Sequence, residues 1–165
     1  MLVVHATKKL ADRLRSAPRH TDESSTTALG SWYATALFWR PQVALFVNES
    51  TLLPVLVPLA PAATVVDRFV AELGPLLIAQ GASSKFAEVE KQEMYEWRLA
   101  KTSNRSVVGI MNEFSYLGAA QAQDRGMSSR ELSLRLSQIP CGPLLKSHGS
   151  PDRELAALLA ERDSF

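Results

Sequence analysis

Trp32-Tyr33-Ala34-Thr35-Ala36-Leu37-Phe38-Trp39, Arg40-Pro41-Gln42, Val43-Ala44-Leu45-Phe46-Val47, Asn48-Glu49-Ser50 and the run from Thr51 to Val57 read as three strands joined by two turns. The first alternates in side-chain direction, setting Trp32, Ala34, Ala36 and Phe38 against Tyr33, Thr35, Leu37 and Trp39. Such alternating aromatics can stack bases, but Ala34 and Ala36 between them make a packed face the better reading. The second is almost wholly apolar, the mark of a strand covered on both faces. The third carries Pro54, which has no N–H to donate and so belongs at an edge or a bulge. Three strands joined by short turns make an antiparallel meander.

Upstream, Leu2-Val3-Val4-His5 reads as a further strand, Thr7 as an N-cap and Lys8 to Leu14 as a helix of two turns with Leu10 and Leu14 facing inward. Residues 15–28 are polar, with Pro18 and a Ser/Thr cluster, and are expected to form a mobile loop. Downstream, Thr64 opens a helix with Val66, Phe69, Val70, Leu73 and Leu77 on one stripe, kinked at Gly74-Pro75 and ended by Gly81. Ser83 and Ser84 open an acidic helix to about Met94, and Tyr95 to Ala100 alternates as a strand with one wet face. A helix follows from Asn104 to about Gln121, its buried stripe expected at Val107, Ile110, Phe114 and Leu117. Ser128 and Glu131 form a capping box. Residues 138–150 are a turn-rich connection to a last helix starting at Ser150-Pro151-Asp152. The expected fold is α+β: a single domain over residues 1–165, with a mixed sheet of about five strands and helices packed on it.

Composition fits that reading. The 165 residues are 46% hydrophobic and 21% charged, with a net charge of +1. A chain of this size buries roughly 70% of its unfolded surface. The balance excludes a disordered or collagen-like chain, and no global charge announces nucleic acid. The one cysteine, Cys141, can form neither an internal disulfide nor a zinc site and reads as a buried thiol. Met1 to His5 is apolar before the chain turns basic at Lys8, the reverse of a secretory signal. The uncharged stretches 24–39 and 50–66 fall short of a membrane span. The expected compartment is the cytoplasm, with no membrane partner.

Two places concentrate polar chemistry. His5-Ala6-Thr7-Lys8-Lys9 takes a strand into a helix, where backbone N–H groups favour an anion. Lys101-Thr102-Ser103-Asn104-Arg105-Ser106 repeats that geometry with more polar groups than a cap requires. Arg105, Gly109 and Asn112 then share one helix face, away from the apolar stripe. Gly109 either leaves a notch for a ligand or admits a neighbouring strand. If the two strands are parallel neighbours, His5 and Lys101 emerge side by side. The candidate ligand-binding set is His5, Thr7, Lys8, Lys101, Asn104, Arg105 and Asn112. No glycine-rich phosphate loop, G-x-S-x-G, H-E-x-x-H or C-x-x-C is present, and His5, His20 and His148 have no ligand spacing. No metal and no cofactor is expected. Glu88, Glu90, Glu93 and Glu96 alternate with Lys85, Lys91 and Arg98 and read as a solvated face.

His5-x-Thr7-Lys8-Lys9-Leu10, Trp32-x-Ala34, Leu45-Phe46-Val47-Asn48 and Ala100-Lys101-Thr102-x-Asn104-Arg105-Ser106-Val107-x-Gly109-x-Met111-Asn112 occur in that order. In these motifs the chain resembles the domain-of-unknown-function family numbered sixty-nine thirty-three, over about residues 1 to 137. The last motif is the specific one. The resemblance implies a small bacterial single-domain protein, carries no activity, and marks Lys101, Asn104, Arg105 and Asn112 as motif positions. Three functions fit the residues: a binding domain for an anionic ligand such as a nucleotide or nucleic-acid phosphate; an enzyme on a phosphate-containing substrate with His5 as general acid or base; or a module binding a protein partner in a small regulatory pair.

Overall fold

A computed structural model describes residues 1–163. Its strands are β1 (Leu2–Ala6), β2 (Trp32–Leu37), β3 (Val43–Asn48), β4 (Pro54–Pro58) and β5 (Trp97–Lys101). Its α-helices are α1 (Lys8–Leu14), α2 (Val65–Ala79), α3 (Ser84–Glu93), α4 (Arg105–Arg125), α5 (Ser129–Leu136) and α6 (Pro151–Asp163). The strands form one mixed sheet in the order β4-β3-β2-β1-β5. The meander β2-β3-β4 is antiparallel, and β1 lies parallel to both β2 and β5. The chain is therefore α+β, as the strand and helix pattern predicts, and Pro54 does lie on an edge strand.

Helices cover both sheet faces, so β3 is buried along its whole length. On one face Trp32, Ala34, Ala44, Phe46 and Val55 meet α2, with Phe46 stacked on Phe69 at 4.1 Å between ring centroids. On the other, Tyr33, Leu37, Leu45 and Val47 meet Val107, Ile110, Met111 and Phe114 of α4 and Leu132 and Leu136 of α5. Ser83 caps α3 by accepting from the Phe86 N–H, and Ser128 caps α5 by accepting from that of Glu131.

Four sequence expectations change. Leu117 lies outside the buried stripe of α4, at 37% exposure; Met111 and Gly118 take its place. Steps of three and four must average 3.6 residues, and the spacing 107-110-114-117 drifts off the buried side. Phe38 is 55% exposed because β2 ends at Leu37. Tyr95 is 89% exposed, in the turn that precedes β5. The third meander strand starts at Pro54 rather than Thr51, because the buried Asn48 side chain holds residues 50–51 in a turn: Asn48 Oδ1 accepts from the Ser50 and Thr51 N–H groups.

Segment 15–28 passes the outer edge of the sheet, where the Lys101 N–H donates to the Arg19 carbonyl. It then returns to β1, where the Val3 N–H donates to Ser25 Oγ. Among the described residues no helix is long and apolar enough to cross a membrane.

Candidate functional site

Parallel pairing carries the ends of β1 and β5 to the same rim. His5 is the register partner of both Tyr33 and Ala100, and Ala6 that of Lys101. His5 Nδ1 lies 2.8 Å from the Lys101 carbonyl oxygen. A carbonyl only accepts, so Nδ1 carries the proton and, in the neutral ring, Nε2 is the basic position. The imidazole stacks on Tyr33, centroids 4.6 Å apart and planes 20° from parallel. Tyr33 is buried, its hydroxyl accepts the Asn104 N–H at 2.9 Å and lies 3.3 Å from Ser103 Oγ. One tyrosine thus ties β1, β2 and the start of α4 together. It read as core in the sequence, and nothing there marks its hydroxyl as the joint.

The two helix starts differ. Asn104 Oδ1 accepts from the Ser106 and Val107 N–H groups at 3.0 and 3.3 Å, so α4 caps itself. Thr7 occupies the capping position of α1, but its hydroxyl donates sideways to Thr35 Oγ1 at 2.7 Å and makes no cap bond. Helix α1 has only seven residues. Charge at the rim therefore comes from side chains. Lys8, Lys101 and Arg105 are exposed, and none has an acidic partner among the described residues. All three lie where the chain leaves the rim: Lys101 ends β5 opposite Ala6, Lys8 is two residues past that pair in a helix whose Leu10 packs on the α2 face, and Arg105 begins the helix that Tyr33 anchors on the other face.

Asn112 is not at this corner. It lies two turns along α4, where it lines a cleft of about 560 Å³ with Trp39, Ser115 and Tyr116. A Cβ on Gly109 would meet nothing within 4 Å, so no neighbouring strand approaches there. The glycine that admits a close neighbour is Gly118, whose added Cβ would lie 2.8 Å from Cη2 of Trp39.

The family described as a domain of unknown function, DUF6933, matches residues 3–154. The chain belongs to DUF6933. No curated protein and no solved structure matches it. The DUF6933 match takes in every residue of the corner. It also takes in Trp32 and Asn48, which are fully buried and structural in this fold, so only some of the residues that carried the resemblance face solvent.

Two titratable groups of the DUF6933 domain lie away from the rim. Glu90 is 1% exposed, and its two carboxylate oxygens accept the N–H groups of Ala28 and Leu29, each at 2.8 Å. Burial raises its pKa, against the lowering by those N–H groups and by Arg162. The solvated acidic face expected over residues 88–96 thus fails at Glu90, which turns inward to hold the chain entering β2. Cys141 is buried, and desolvation, with the Glu113 charge, pushes its thiol up to about 11, as an inert core cysteine requires.

Proposed function

We propose that this domain binds an anionic ligand, a nucleotide or nucleic-acid phosphate, at the corner formed by His5, Lys8, Lys101, Asn104 and Arg105. The observation that carries the reading is the His5–Lys101 bond. It fixes an imidazole at the end of β1, on the rim from which Lys8, Lys101 and Arg105 follow, and these cations have no acidic partner among the described residues. Uncompensated like charges repel one another, and a bound phosphate relieves that repulsion. Ligands of sheets with parallel strands gather at the carboxyl ends of those strands, which is where this corner lies. Because Asn104 already occupies the first amides of α4, the ligand contacts assigned here are side-chain ones.

Calorimetric titration with thymidine 5′-monophosphate, at low and at physiological salt, tests the reading. Binding should weaken as salt rises and be lost in Arg105→Ala with the melting temperature unchanged. Full affinity in both Arg105→Ala and Lys101→Ala would place the ligand elsewhere.

The tautomer of His5 favours a second reading, an enzyme on a phosphate-containing substrate with Nε2 as general acid or base. A rate on a phosphate ester that follows a bell-shaped pH profile and disappears in His5→Gln would select it.

A further inference from the structure

Arg105, Gly109, Asn112 and Tyr116 stand at positions i, i+4, i+7 and i+11 of α4, so they share a single line along the helix. That line is opposite the stripe of Val107, Ile110, Met111 and Phe114 that enters the core. All four residues are exposed, Tyr116 at 81%. An isolated surface tyrosine needs no explanation. This one has company: Trp39 borders the same cleft, packed against Gly118. Between the cations and the aromatics lie a glycine with nothing within 4 Å and Asn112, whose amide makes no hydrogen bond among the described residues. Glu113 lies about a quarter-turn off the line and makes no ion pair with Arg105 among the described residues.

The stripe thus runs from positive charge, through a free amide that can both donate and accept, to an aromatic face. From Arg105 to Tyr116 it spans roughly 16 Å, the reach of a few nucleotides of extended strand. We propose that this face takes a short single-stranded nucleic acid, its phosphates on Arg105 and the adjoining rim, and a base stacked on Tyr116. The order of groups is what a strand with alternating charge and π-faces fits. A protein partner would not need the cations free of acids at one end and a bare helix backbone in the middle. The proposal rests on the reading of the corner as an anion site and extends it along α4.

Oligothymidylates of increasing length, from the mononucleotide upward, are titrated into the full chain, with oligouridylates in parallel so that the better binder tells DNA from RNA. Affinity should climb over the first few nucleotides and then level. Tyr116→Ala should weaken the longer oligomers about tenfold and leave the mononucleotide unchanged, while Tyr116→Phe retains full affinity. If mononucleotide and oligomer bind equally, the strand proposal falls and the corner reading stands. If neither binds, both fall. If Tyr116→Ala is silent, or abolishes only capture of a protein partner, the stacking face is wrongly assigned.

Discussion

Glu90 and the trio Lys8, Lys101 and Arg105 are charges held under opposite conditions. Glu90 is dry and has two backbone donors, one for each oxygen. The cations are wet and have no acidic partner among the described residues. A buried charge persists only if its lone pairs are satisfied, so Glu90 is a strut whose removal strands two amides. An exposed charge contributes little to stability in either direction, so its presence is informative about what it meets in solution.

The contrast can be broken by mutation. Glu90→Ala should cost about 3 kcal/mol in urea denaturation, from one buried and one part-buried donor left without acceptors. A cost below about 1 kcal/mol would mean that residues 28–29 reach water and that Glu90 is no strut. The same carboxylate should leave a pH signature. Its folded pKa stands above the ordinary 4.5, so the native state holds the proton more tightly than the unfolded chain. Stability contributed in this way is present in acid and is lost as pH rises through the folded pKa, above the ordinary glutamate value. Denaturation midpoints across that window should fall with pH in the wild type and fall less in Glu90→Gln. An equal slope in the two would assign the effect to another group.

Asn104 is intermediate between the two regions, because it stands at the corner and works as a cap. Asn104→Ala should cost about 1 kcal/mol by thermal melting, the usual worth of an N-cap. Arg105→Ala, one residue away, should change stability by less than about 0.5 kcal/mol. If Arg105 proves the costlier of the pair, the corner is held together by its cation, and the division between strut and free charge collapses there.

What the sequence made legible follows from how locally each signal is written. The alternation in β2, the apolar run of β3 and Pro54 in β4 announce the meander, because strand period and edge chemistry act over a few residues. The side-by-side emergence of His5 and Lys101 was readable only as a condition, since parallel pairing leaves no mark in either segment. Glu90 was misread because its partners, Ala28 and Leu29, are 62 and 61 residues away and contribute only backbone. Its charged neighbours Lys85, Lys91 and Arg98 carried the only local signal. Gly118 was invisible for a related reason: a glycine adds no apolar periodicity, and its place in the stripe depends on Trp39 arriving from the connection after β2. Tyr33 was placed correctly by its aromatic ring and missed in its hydroxyl, which has meaning only beside Asn104.

The bond from His5 to Lys101 joins residues 96 positions apart in the chain. The meander closes through turns of a few residues, whereas joining β1 to β5 closes a loop of nearly three fifths of the chain. Loop-closure entropy and the slow formation of distant pairings place that junction late in folding. A chain that has collapsed around β2, β3 and β4 would already bury most of its aromatic core and would still have no corner: His5 and Lys101 would be on separate, uncoupled segments. Ligand binding in a refolding reaction should therefore return after burial of Trp32, and the lag between the two signals would time the docking of the chain's opening strand.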